Sequence, residues 1–305
     1  MTMAKHRFLL GLGVLAFLAP TDVRAERFPS RGDRTFLWKV SSPSTTVYLL
    51  GSVHMAKKDL YPLAKPIEDA FARSKVLVVE ADEGKMDPVE MQKLVLEKGF
   101  YPAGESLSTK LAPEKLKTVE ALLGKLGLRL EQVNQMRPWY LAVTASVLAL
   151  QKLAYDPQLG IDRHFIQAAK DQGKELKELE SIQFQIDLLS GLSQDLQELF
   201  VAATLDEVDD VEKRMEKVMS AWKKGDDKEL YRLLITEGMA KRPELAPLQK
   251  RLLDDRNEGM VKKVEEYLRT KDVHFVVAGA AHMIGEKGIC ELLRKKGYTV
   301  EQVEQ

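Results

Sequence analysis

Four side chains carry the chemistry this sequence offers. They are His54 in Gly51-Ser52-Val53-His54, Glu80 closing Val76-Leu77-Val78-Val79-Glu80, Glu180 closing Lys174-Glu175-Leu176-Lys177-Glu178-Leu179-Glu180, and His282 in Gly279-Ala280-Ala281-His282. Each stands where a run of β character stops. Two imidazoles and two carboxylates form a nitrogen and oxygen ligand set suited to a divalent ion such as zinc, manganese or cobalt. The same groups serve as a metal-free acid and base array, with a carboxylate holding one imidazole in the required tautomer. A blander reading makes them solvated loop histidines and ordinary strand-terminal carboxylates. Spacing alone does not choose among these, because there is no H-E-x-x-H. The sequence also has no G-x-S-x-G and no G-x-x-x-x-G-K-[ST], which removes the usual serine-hydrolase elbow and a Walker loop.

Other reactive types fit structural roles better. Arg256, next to Asn257, is the exception: it could point a guanidinium at substrate or at a site carboxylate, or form a surface ion pair. His164 reads as a helical surface residue, and His274 starts a strand at the rim opposite the site. Cys290, among Ile289, Leu292 and Leu293, reads as a small buried hydrophobe. Arg137-Pro138-Trp139 opens a helix, and Lys223-Lys224 and Lys262-Lys263 are solvated helix faces.

The elements that must position these residues follow from periodicity. Thr35 to Val40 and Thr45 to Gly51 are β-branched and aromatic runs around Ser41-Ser42-Pro43-Ser44, a hairpin pattern. Pro66 opens a short helix with Ile67, Ala70 and Phe71 on one face, and Lys75 to Glu80 is an apolar run suited to a strand covered on both sides. Together they predict a βαβ unit. From about 86 to 269 helical spacing dominates: Trp139 to Ala154 is apolar nearly all round, and Asp226-Asp227-Lys228-Glu229 resembles a capping box. One strand, Lys174 to Glu180, interrupts the helices. Val273 to Gly279 and a last strand near Tyr298 to Val303 restore α/β character. The fold expected is therefore α/β, with a central mostly parallel sheet, an antiparallel N-terminal edge hairpin and a large helical insertion. In such a sheet, sites form outside the carboxyl ends of the strands, where all four residues fall.

Composition bounds the rest. The 305 residues are 45% hydrophobic and 30% charged, enough to bury one large core or two modest ones. Forty-six basic residues balance forty-six acidic ones, so no net field recruits nucleic acid. The single cysteine, Cys290, excludes an internal disulfide and a thiolate metal cluster. Residues 1–25 combine Lys5 and Arg7, an apolar stretch from Phe8 to Ala19, and Val23-Arg24-Ala25, the layout of a secretory signal peptide. The mature chain is expected to span 26–305 as a single domain, periplasmic or secreted, with no stable membrane anchor after cleavage.

The motifs also match a known pattern. The chain resembles the TraB/GumN family, marked by two G-x-x-H motifs bracketing the domain, here Gly51 to His54 and Gly279 to His282, and by a glutamate ending the strand after the first, here Glu80. The resemblance extends to Pro138-Trp139, Gly160-Ile161-Asp162, Leu179-Glu180 with Gln183, and Arg256-Asn257. The family is similar to the Tiki proteins, membrane-tethered metal-dependent peptidases, and more distantly to erythromycin esterases and the ChaN haem-binding proteins. Tiki-like members imply peptide cleavage with a divalent ion. The esterase branch implies histidine and glutamate chemistry without one, and ChaN implies binding alone.

The function expected is an exported hydrolase, a metal-dependent peptidase in which His54, His282 and one of Glu80 or Glu180 hold the ion. The other glutamate acts as general base, and Arg256 orients substrate or stabilises the oxyanion. Its partner is a peptide or small-molecule substrate. The alternatives are a binding module for haem or a small peptide, and an interaction protein without chemistry. As a strand-end rim carboxylate, Glu80 is expected to tolerate Glu80→Gln within about 1 kcal/mol of stability.

Overall fold

The computed structural model describes residues 34–305. The stretch read as an export signal, 1–25, lies outside the described residues. Strands β1 (Arg34–Ser41) and β2 (Thr46–Ser52) form the expected antiparallel hairpin, with Leu37 opposite Leu50 and Ser41 opposite Thr46. Its turn is tied by Ser42, whose Oγ accepts from the backbone N–H groups of Ser44 and Thr45 and donates to the Leu268 carbonyl at 2.7 Å. Short hydroxyl side chains favour turns because they can replace the missing backbone partners in this way.

With β3 (Val76–Val79), β4 (Glu175–Glu178), β5 (His274–Gly279) and β6 (Thr299–Glu304), the hairpin completes a six-stranded mixed sheet in the order β4-β3-β5-β2-β1-β6. The four strands β4, β3, β5 and β2 run parallel. β6 pairs antiparallel with β1, so the expected architecture is present with β6 outside the hairpin. One adjacency differs from the simplest βαβ reading: β2 and β3 are parallel but do not touch, because β5 lies between them. Burial explains the order. β3 and β5 are buried at every position, which requires a neighbour on each side, whereas the Glu-Leu-Lys-Glu of β4 is partly exposed and suits an edge.

The helix Lys65–Arg73 connects β2 to β3 and buries Ile67, Ala70 and Phe71, the face its spacing marks out. A first hydrophobic cluster sits on the sheet and includes Phe36, Trp38, Phe71, Phe165 and Phe275. A second belongs to the helical insertion and centres on the helix Pro138–Lys152, with Trp139 and Leu141 fully enclosed. Each such side chain withdrawn from water contributes about 1.5–3 kcal/mol before entropy is charged. Val53 packs against the first cluster and Met55 belongs to the second, so His54 lies on the seam between them.

Candidate active site

Strand register brings the two G-x-x-H turns together. Ser52 of β2 is paired with Gly279 of β5, so Gly51 to His54 and Gly279 to His282 leave the sheet side by side. Parallel pairing also continues past the ends of β3 and β4: Leu179 N–H donates to the Val79 carbonyl at 2.8 Å, and Glu180 N–H to the Glu80 carbonyl at 2.9 Å. All four sequence-predicted residues therefore gather at the carboxyl ends of adjacent strands. The helix Ile161–Asp171 is stitched to the first turn by Ile161 N–H to the Val53 carbonyl at 3.0 Å. Only glycine fits at its N-cap, because a Cβ on Gly160 would lie 2.3 Å from the His54 carbonyl oxygen.

This docking delivers Asp162 to His54. His54 Nδ1 lies 2.8 Å from Asp162 Oδ2, and Asp162 Oδ1 accepts from Ser52 Oγ at 3.1 Å. His54 Nε2 is buried with no hydrogen-bond partner and lies 4.0 Å from Glu80 Oε2. Burial opposes charge on this ring, but the Asp162 carboxylate and then Glu80 outweigh it and push the pKa up to about 9. His282 is anchored differently. Its Nδ1 lies 2.6 Å from Asn257 Oδ1, while Asn257 Nδ2 donates to the Lys287 carbonyl at 2.8 Å. With its nitrogen so engaged, the amide presents an acceptor, which puts the proton on His282 Nδ1 and leaves Nε2 as a lone pair 3.9 Å from Glu80 Oε1. Burial, reinforced by the Arg256 cation, pushes His282 down to about 3. One imidazole is thus backed by a carboxylate that favours its charged form, and the other by an amide in surroundings that favour its neutral form.

Glu80 lies between them and is only 4% exposed, which overturns the expectation of a rim carboxylate. Its Oε2 accepts the Gly279 N–H at 2.9 Å, and its Oε1 accepts Gln185 Nε2 at 2.9 Å and Arg256 Nη2 at 2.5 Å. Burial disfavours the ionised form, but Arg256, the two histidines and the Gly279 amide hold this carboxyl well below the usual range. Glu180 receives Arg256 Nε at 3.1 Å on each oxygen and Nη2 at 2.6 Å on Oε2; burial nevertheless raises its pKa. Arg256 Nη1 donates to the Leu252 carbonyl at 3.0 Å, in the π-helical turn Lys250–Asp254 that precedes the helix Asp255–Leu268. Such turns break the regular ladder and are frequent at functional sites. The guanidinium is buried and directed at the two site carboxylates, not outward toward substrate.

The remaining candidates fall outside this centre. His164 lies 3.5 Å from Glu68 and packs on Tyr61; His274 stacks on Tyr267 with ring centroids 4.6 Å apart. Cys290 is buried, and burial pushes its thiol up. Gln183 is tied to Asp187 on the surface, and Gln185 reaches the site instead. Sequence reasoning gave no role to Asp162 or Gln185. Gln185 does have a signal: it is the polar member of the stripe Ile182, Gln185, Ile186 and Leu189 that its helix buries.

The residues fit a divalent ion in kind and in orientation. Both rings have Nδ1 tied outward and Nε2 turned toward one carboxylate, and His54 Nε2 is orphaned, the usual support of imidazole ligands. Donors set tetrahedrally about 2.1 Å from one ion lie about 3.4 Å apart; the separations here, 4.0 Å from His54 Nε2 to Glu80 Oε2 and 3.9 Å from His282 Nε2 to Glu80 Oε1, are wider and run to different oxygens. Gly279 leaves the space open: a Cβ there would sit 3.1 Å from His54 Nε2, 3.4 Å from Glu80 Oε2 and 3.6 Å from His282 Cδ2. Among the described residues no group of three His, Cys, Asp or Glu side chains is placed to hold a metal ion, and Glu80 is engaged by Arg256.

Fold and site together define the class: an α/β protein with two imidazoles and a buried glutamate at the carboxyl ends of parallel strands. The chain belongs to the TraB/PrgY/gumN family, whose sequence model matches residues 36–302. It is similar to the uncharacterized protein YbaP of Escherichia coli (strain K12), 29% identical over 142 residues, which are 47% of this chain and 51% of that protein. YbaP of Shigella flexneri matches to the same extent. The matched region spans about half the length of these curated relatives. No solved structure matches. Among the described residues no helix is long and apolar enough to cross a membrane.

Proposed function

We propose that the chain is an exported hydrolase of peptide bonds that works with a divalent ion held by Nε2 of His54, Nε2 of His282 and the Glu80 carboxylate. The observation that carries this reading is the pair of imidazoles whose Nδ1 atoms are tied to Asp162 and Asn257, leaving both Nε2 atoms facing one carboxylate. A divalent ion supplies Lewis acidity toward a carbonyl and makes water ionisable near neutral pH. The chain's own residues do the rest. Asp162 and Asn257 fix ring orientation, Gly279 N–H and Gln185 aim Glu80, and Arg256 offsets the negative charge of the two glutamates.

The test is metal analysis of the exported chain, followed by chelation, reloading with manganese, cobalt or zinc, and hydrolysis of a fluorogenic peptide mixture. Ion and activity lost together in His54→Ala and His282→Ala support the reading; a wild type that binds none of the three ions refutes it. N-terminal sequencing of the exported product checks the cleavage point.

A second reading has its own observation. Asp162 backs a charged His54 while Arg256 already occupies Glu80, an arrangement that can transfer protons without an ion. Hydrolysis undiminished by chelation assigns the reaction to this acid and base pair. A haem absorbance band lost in His282→Ala points to a binding module.

A further inference from the structure

Arg256 sits between two carboxylates and serves them unequally. Glu180 takes three contacts, Nε at 3.1 Å from each oxygen and Nη2 at 2.6 Å from Oε2. Glu80 takes one, from Nη2 at 2.5 Å. A guanidinium is a planar fork matched to a carboxylate, and here the fork is spent on Glu180. The oxygen of Glu80 that carries the single contact, Oε1, is also the one 3.9 Å from His282 Nε2. One buried oxygen is thus claimed both by Arg256 and by the space between the imidazoles. Gln185 spans the same pair, its Nε2 lying 2.9 Å from Glu80 Oε1 and 3.3 Å from Glu180 Oε2.

Were Glu80 the sole partner of Arg256, turning it toward an ion would strand a buried cation, a costly outcome. Resting on the divalent-ion reading, we infer that Glu180 is a positioning residue: it keeps Arg256 seated and neutralised, so that Glu80 can exchange a guanidinium contact for an ion. Glu180 is then neither an ion ligand nor the general base. It sets how readily Glu80 is released, and Gln185 can follow either carboxylate.

The test is a competition titration of the exported chain with Mn²⁺ alone, comparing wild type with E180Q, E180D and the double variant E180Q/R256Q. E180Q should weaken Mn²⁺ binding by about 10–100-fold, the range for residues that support a ligand. E180D, which keeps the charge, should recover most of that loss, and so should the double variant, which has no guanidinium left to strand. Thermal unfolding of the ion-free variants checks that each is folded; should E180Q alone fail to fold, E180D and the double variant carry the comparison. Folded E180Q that binds Mn²⁺ as tightly as wild type overturns the inference while leaving the ion reading intact, as does a double variant that binds as weakly as E180Q. A wild type that binds no Mn²⁺, Co²⁺ or Zn²⁺ overturns both.

Discussion

Glu180 donates its backbone N–H to the Glu80 carbonyl at 2.9 Å, one step beyond the last paired residues of β3 and β4. Two like charges are thereby placed next to each other at a sheet end, an arrangement that needs a cation. Arg256, 3% exposed, supplies it. This relationship makes the centre a network whose members change together, and it shapes what substitutions should do.

Glu80→Gln keeps the shape but removes the charge that Arg256, Gly279 and both histidines share. Hydrolysis and ion binding should be lost. Stability should fall by about 1–3 kcal/mol, the cost of upsetting buried hydrogen bonds to charged groups, and not by the larger cost of an orphaned cation, because Glu180 retains Arg256. Urea unfolding in the presence of chelator measures this; a loss below 0.5 kcal/mol, typical of surface changes, would contradict the buried geometry.

Stability of the ion-free chain should pass through a maximum near neutral pH. His54 is raised from 6.5 to about 9, so its contribution is complete below pH 6.5 and disappears as pH climbs to 9. That loss is on the order of 3 kcal/mol. His282 is lowered from 6.5 to about 3, so its contribution is present above pH 6.5 and fades as pH falls toward 3. Denaturant melts across pH 4–9 check both arms. Asp162→Asn should flatten the alkaline arm and leave the acid one; an alkaline arm unchanged in that variant means Asp162 does not hold the His54 proton.

Gly279→Ala tests the open space without removing any donor. The backbone at Gly279, with φ −48° and ψ 137°, accepts an alanine, so the added methyl acts through its 3.1 Å approach to His54 Nε2. Turnover should drop by about 100-fold, as misplacement by an ångström does. Ion affinity and peptide hydrolysis read this out, with circular dichroism showing the fold retained.

Asn257→Leu leaves His282 Nδ1 without its acceptor while filling similar volume. Ion affinity should weaken by about 10–100-fold. Asn257→Asp should instead raise the pKa of His282, because an amide partner is replaced by a charged one. Histidine NMR titration against pH distinguishes that shift from simple disorder of the ring.

Much of this was legible in the residues themselves. His54, Glu80, Glu180 and His282 end runs whose composition announces strands, and in a parallel sheet such ends share one rim, so their meeting followed from local signals. Asp162 was harder: it lies 108 positions beyond His54, and its delivery depends on the Gly160 contact with the His54 carbonyl, which no local pattern reports. The place of β5 between β2 and β3 was likewise hidden, since sequence order favours pairing of successive strands and only relative burial reverses it. The burial of Glu80 escaped for a related reason. A carboxylate at a strand end is ordinarily wet, and this one is covered by Arg256 and Gln185 from helices 100 residues and more away.

The strand that joins the two halves of the centre is made from residues 274–279 of 305. Polypeptides are synthesised from the amino end, so His54 and Glu80 emerge long before the segment that ties their strands into one sheet. An unfinished or clipped product lacking the last strands would carry the reactive groups with nothing to assemble them. The two halves of the centre therefore meet only once residues 274–279 have taken their place in the sheet.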